Sequence, residues 1–380
     1  MMQCRNRWAI GLGLLWVLLM GVRFAPLHAG QLVYLATSQD KQITAFDLDQ
    51  DSGKLVTKFR LETPGNLGPL CFSPDTSYVY AALTGTPEAA AAVATLARGA
   101  DGSLNLVGTA AITGRTPYIR TNKSGTILLA AHYGAGEVTV YRIRDGICTA
   151  ELLDRQKTER EAHCIEIDPS GRFVYVPHTE PNKVYQFRLL GDSGKLQPLD
   201  PPFAPGPDPD HRYHEPRHYA HHPTLAMGFT SNENGGGISS WKWHSQSGRL
   251  TRLQTLGTLP PGYREGSAAA DIRITPNGRF AYVSNRDTEK RPAGNAFQDT
   301  LAAVAIDGKT GAMKIVGHYP TGHFPRSFCI DLTGRYLFAA GQLSNDLFAY
   351  RIDQKTGALV HLATYQTGGV PIWVMCGSVK

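Results

Sequence analysis

The chain has 380 residues, 42% hydrophobic and 18% charged, with a net charge of +6. This is the composition of a folded globular protein, and so small a basic surplus argues against a nucleic-acid partner. No cysteine stands in CxxC or paired spacing, which argues against a fold built on a disulfide framework.

In chain order, the first element is a leader. Residues 1–29 run from Arg5 and Arg7 through the apolar stretch WAIGLGLLWVLLMGV to small residues at HAGQ, the pattern of a secretory signal cut near Ala29. A membrane anchor is the rival, but Trp8 to Val22 is shorter than the roughly 20 residues a span needs. The expected mature protein, residues 30–380, is therefore extracytoplasmic, periplasmic or secreted, with no stable membrane span. Removing Arg5, Arg7 and Arg23 from 38 basic residues leaves 35 against 32 acidic, a net of +3. Of the cysteines beyond the leader, Cys164, Cys329 and Cys376 lie in apolar, strand-like stretches and read as small buried hydrophobes, with room for one bridge.

Beyond the leader one phrase returns. CFSPDTSYVYAAL, IRTNKSGTILLAAH, IEIDPSGRFVYVPH, YAHHPTLAMGFTSN, IRITPNGRFAYVSN and CIDLTGRYLFAAGQ each combine a short apolar strand, a polar turn and an alternating second strand. The period of about 46 to 55 residues is that of a four-stranded propeller blade. Inner strands begin near Pro69, Pro117, His163, Arg217, Asp271, Arg326 and Ile372, which makes seven. The last has no partners after it, whereas QLVYLATS, ITAFDLD and LVTKFRLE near the start have no inner strand before them. The sequence thus predicts an all-β, seven-bladed propeller whose N- and C-terminal strands share one blade, as a single domain. Three stretches interrupt the repeat, at 84–103, 204–215 and 288–299, and are expected to be connections that reshape the mouth.

Blade geometry selects a site. Antiparallel strands bring inner-strand starts and second-strand ends to one face of the disc, around the central channel. Those positions hold His163, Arg217, Asp271 and Arg326, and Tyr133, His178, Glu233, Arg286 and Gln342. Glu233, His163, Arg217 and Arg286 suit water attack on an ester carbonyl. Glu233 takes a proton from water, His163 gives one to the leaving alkoxide, and the arginines hold an anionic group and the developing oxyanion. Tyr133, His178, Asp271, Arg326 and Gln342 are the expected substrate contacts.

The His-rich stretch HRYHEPRHYAHH does not change this. Alternation puts Arg217, Tyr219 and His221 on one face, and places His218 and His222 roughly 13 Å apart, too far to share an ion. His218 reads as a packed structural histidine and His222 as a turn residue, while His211 and His214 fall in a Pro- and Asp-rich loop. No metal or other cofactor is expected.

The motifs AHCIEIDPSGRFVYV, EPRHYAHHP, SNENG, AADIRITPNGRFAYVSNRD, PRSFCIDLTGRYLFAAGQ and the terminal PIWV resemble the seven-bladed propeller lactonases. That group includes the propeller-type 6-phosphogluconolactonases and the fungal carboxymuconate-lactonizing enzyme. The resemblance covers residues 30–380 and implies a site of one His, one Glu and two Arg, which falls on His163, Glu233, Arg217 and Arg286. It implies hydrolysis of a sugar or other anionic lactone. A muconate-type cycloisomerase and a non-catalytic binding propeller are the alternatives.

Overall fold

The computed structural model describes residues 30–208, 210, 213–263, 266–290 and 298–379. The expected leader, residue 211 and parts of the 204–215 and 288–299 stretches lie outside them. The described residues form seven four-stranded antiparallel blades. Two adjacent blades are joined at one edge by the single pair Asn234–Ala268. The closing blade has the order predicted from sequence: Pro371–Ser378 is its inner strand and pairs with Gln31–Thr37, followed by Gln42–Leu48 and Leu55–Glu62.

The recurring phrase has a local cause. Between the inner and second strands a polar side chain caps the turn: Asp168 Oδ1 accepts the amides of Arg172 (2.7 Å) and Phe173 (2.6 Å), and Asn122 Oδ1 those of Thr126 (3.0 Å) and Ile127 (3.1 Å). The second strands are buried on both faces because each blade is packed between two others. Their tyrosines stitch the ring. Tyr175 and Tyr282 donate to the carbonyls of Gly248 (2.6 Å) and Gly357 (2.8 Å) in outer turns of the adjacent blade. Both glycines have positive φ, and a Cβ on either would come within 2.4 Å of a phenylalanine ring, so only glycine fits.

The inner strands carry the feature that positions the site. Between Pro216, opposite Asn232, and His218, opposite Ser231, Arg217 is an extra residue without a partner. The same irregularity leaves Arg326 extra between Pro325 and Ser327, and Ile372 between Pro371 and Trp373. A β-bulge re-aims a side chain and breaks alternation. Repeated around the ring, it turns one residue per bulged blade toward the channel.

Two expectations change here. The segment 84–103 is no insertion, because Ala91–Arg98 is a buried third strand of its blade and only the turns on either side of it leave the sheet. Arg217 does not share a face with Tyr219 and His221. Those two pack with Tyr175, while the bulge sends Arg217 and His218 together to the channel.

Candidate active site

A cavity of about 750 Å³ opens where the inner strands begin and the second strands end, with walls from six of the blades. It gathers His163, Arg217, Glu233, Arg326, Tyr133 and Gln342. Among the described residues Glu233 is the only acidic one in its wall, against Arg115, Arg217 and Arg326. Arg286 stands directly behind Glu233.

Glu233 ends a second strand, and the following turn uses Gly235 and Gly236, both at positive φ. Its Oε1 accepts a hydrogen bond from Arg286 and its Oε2 lies 3.5 Å from Arg217 Nε. Burial favours its neutral form, but the charges of Arg217 and Arg286 outweigh burial and hold the carboxyl below its ordinary range. Glu233 is thus ionised at neutral pH. Arg286 is fixed by further bonds to the carbonyls of Ala268 (3.1 Å) and Ala269 (3.3 Å), and its guanidinium stacks over Phe324 at 4.9 Å.

His163 is buried beside Tyr133 and His218, with ring centroids 5.6 and 5.2 Å away. Its Nδ1 has no hydrogen-bond partner among the described residues. Burial drives its pKa well below the imidazole range, and Arg217, His218, Arg326 and Arg286 push the same way. The ring is therefore neutral at rest. The proton-donor role drawn from sequence needs an imidazolium, which this environment disfavours.

Behind Arg217 lies a chain that the sequence reading missed. Asp271 Oδ1 accepts from His218 Nδ1 (2.9 Å), which leaves His218 Nε2 as an acceptor 3.3 Å from Arg217 NH1. Asp271 also takes Arg273 NH2 (3.1 Å) and the amide of Phe328 (3.3 Å). Burial brings His218 down to about 4, with Arg217 adding to the effect, so it is a neutral acceptor for that arginine. His218 lines the cavity and is more than a packed structural residue.

Two expected substrate contacts are corrected. Asp271 is buried behind the cavity wall with its carboxylate occupied by those partners. His178 has both ring nitrogens engaged, Nδ1 to Val176 O and Nε2 with Thr158 Oγ1, each at 2.9 Å, and it does not line the cavity. His222 is a turn residue as expected, accepting the amides of Thr224 and Leu225 at Nδ1. Arg115 was overlooked because its blade was read from Pro117 onward. No cluster of three or more His, Cys, Asp or Glu that could hold a metal occurs among the described residues.

The model of the lactonase, seven-bladed β-propeller family matches residues 30–376. The 6-phosphogluconolactonase of Enterobacter sp. (strain 638) is 30% identical over 348 residues, covering 92% of this chain and 99% of that protein. That of Cronobacter sakazakii (strain ATCC BAA-894) is 31% identical over 351 residues, covering 92% and 98%. Among solved structures, the periplasmic gluconolactonase of Pseudomonas aeruginosa superposes with a TM-score of 0.78 at 22% identity, covering 93% of this chain and 99% of that one. With its seven blades, its shared closing blade and these relatives along nearly its whole length, the chain belongs to the seven-bladed β-propeller lactonase family.

Proposed function

We propose that the protein hydrolyses an anionic sugar lactone, of the 6-phosphogluconolactone kind, at this cavity and without a metal. The observation that carries the reading is one ionised carboxylate, Glu233, shared by two arginines in the same small cavity as a neutral histidine. Relatives named 6-phosphogluconolactonase at 30 and 31% identity support it.

Glu233 holds a water molecule and takes its proton as the oxygen attacks the lactone carbonyl. Arg217, in the cavity wall, faces the oxyanion that develops, while Arg286 behind Glu233 holds that carboxylate in place. Collapse breaks the ring C–O bond. The Glu233 carboxyl, a strong donor because its pKa is low, returns the proton to the leaving alkoxide, and neutral His163 offers the ring oxygen an N–H hydrogen bond. The product hydroxy acid then ionises. Arg326, Tyr133 and Gln342 border the space left for the rest of the substrate. The leader pattern at 1–29 supports action outside the cytosol, and a periplasmic gluconolactonase has the same fold. No helix among the described residues is long and apolar enough to cross a membrane.

The test is a hydrolysis screen of the purified protein on phosphorylated and unphosphorylated sugar lactones, with a muconate-type diacid as control, before and after prolonged chelation. Lactone hydrolysis insensitive to chelation is expected. Turnover of the diacid alone would support the cycloisomerase, and loss of activity restored only by a divalent ion would remove the metal-free mechanism.

A further inference from the structure

The cavity's charges do not balance. Glu233 already serves Arg217 and Arg286, yet Arg115 and Arg326 also line the wall. Neither guanidinium is in a salt bridge or hydrogen bond among the described residues, and Glu233 acts on Arg326 only at longer range. Arg326 is a bulge residue, turned toward the channel by the geometry that also turns Arg217. Burial, then the charge of Arg286, lowers it to about 10, with Arg115 acting in the same direction, so the like charges are near enough to repel. Arg115 is exposed at the rim, and its carbonyl lies 3.3 Å from His132 Nδ1, a ring whose Nε2 is 2.7 Å from Thr139 Oγ1.

For the partly buried Arg326, an uncompensated guanidinium is costly unless a ligand supplies the opposite charge, and the exposed Arg115 adds a second positive charge at the rim. We propose that Arg115 and Arg326 form a second anion subsite, separate from the ester-cleaving group, that takes a phosphate monoester carried on the substrate. Two unpaired guanidiniums match a phosphate dianion in charge and donor number, whereas a carboxylate would leave one of them unanswered. This assignment rests on the proposed lactone hydrolysis for its meaning but not for its test.

The test is equilibrium binding of glucose 6-phosphate and of gluconate, neither of which contains a lactone, to the unsubstituted protein and to the Arg115→Ala and Arg326→Ala variants. Each substitution should weaken glucose 6-phosphate binding at least tenfold, and more than it weakens gluconate binding. Equal loss for both ligands, or unchanged glucose 6-phosphate binding, would overturn the phosphate subsite even if lactones are hydrolysed. In a protein that hydrolyses no lactone, selective loss would uphold the subsite and sink only the hydrolytic reading.

A separate observation carries a second inference. Cys329 and Cys376 lie on the adjacent inner strands Pro325–Ile330 and Pro371–Ser378, with their Sγ atoms 3.3 Å apart. A disulfide needs about 2.05 Å, a small side-chain adjustment away. We infer that the two thiols pair when an external disulfide, such as oxidised glutathione, is present. Each thiol loses one hydrogen, an S–S bond forms, and the external disulfide leaves as two thiols. The bond would tie the closing strand to the preceding blade across 47 positions. The hydrogen bond with Cys329 and burial raise the Cys376 thiol well above its usual range, so pairing during folding is favoured over attack in the folded ring.

The check is refolding in a glutathione redox buffer, alkylation of free thiols and non-reducing peptide mass spectrometry. A linked Cys329–Cys376 peptide is expected, with a melting temperature lowered by reductant in the unsubstituted protein but not in Cys376→Ser. Full alkylation of both cysteines would overturn the inference.

Discussion

At the scale of single residues, the candidate site was legible wherever the repeat spacing alone fixed a position. His163 and Arg217 were read at inner-strand starts and Glu233 and Arg286 at second-strand ends, so counting strands brought these candidates to one face without any knowledge of side-chain contacts. His218 was not legible, because one extra residue at Arg217 cancels the alternation that would have pointed it away from the channel. Asp271 was misplaced because its carboxylate turns to His218, Arg273 and the Phe328 amide, and its wall neighbours hide it. In the proposed mechanism these two are positioning residues. Since His218 accepts from Arg217, His218→Phe should lower kcat/KM for the best lactone about ten- to a hundredfold, the equivalent of one lost charge-assisted bond. His218→Gln, which keeps an acceptor, should recover part of that loss in steady-state kinetics. A purely structural His218 would show no such recovery at matched melting temperature.

At the scale of the element, strand order and closure could be read because polar turns punctuate every blade and the unpaired ends complement one another. The strand Ala91–Arg98 escaped because it is buried on both faces between blades and rich in alanine, which erases the alternation that marks other strands. The closing strand Pro371–Ser378 pairs along the length of Gln31–Thr37 and packs Trp373, Val374 and Met375 into the core. Deleting residues 371–380 should expose two sheet edges and open the ring. The expected product aggregates and lacks a cooperative melt, measured by light scattering and calorimetry. A soluble variant melting within a few degrees of the full chain would show that closure does not depend on this strand.

At the scale of the whole molecule, the buried histidines give a pH signature. His178, His218 and His221 are each brought to about 4 chiefly by burial, and His163 is pushed well below the usual value of 6.5. The unfolded chain takes up these protons first. Their contribution is therefore full above about pH 7 and is lost as the pH falls through 6.5 toward 4, with a limiting slope of about 1.4 kcal/mol per pH unit for each. Chemical denaturation between pH 8 and 5 should show stability flat at first and then falling. A constant stability down to pH 5 would mean that these rings are charged in the folded protein.

Lactone hydrolysis in the arginine-rich cavity rests most directly on Glu233. Glu233→Gln preserves its shape and its contacts with Arg217 and Arg286 while removing the proton acceptor. The decisive measurement is kcat/KM for the best lactone at neutral pH, with the two proteins matched in melting temperature. A fall of about 100- to 10,000-fold is predicted; a rate within about threefold of the unsubstituted protein would make Glu233 a structural partner of its arginines and contradict hydrolysis at this site.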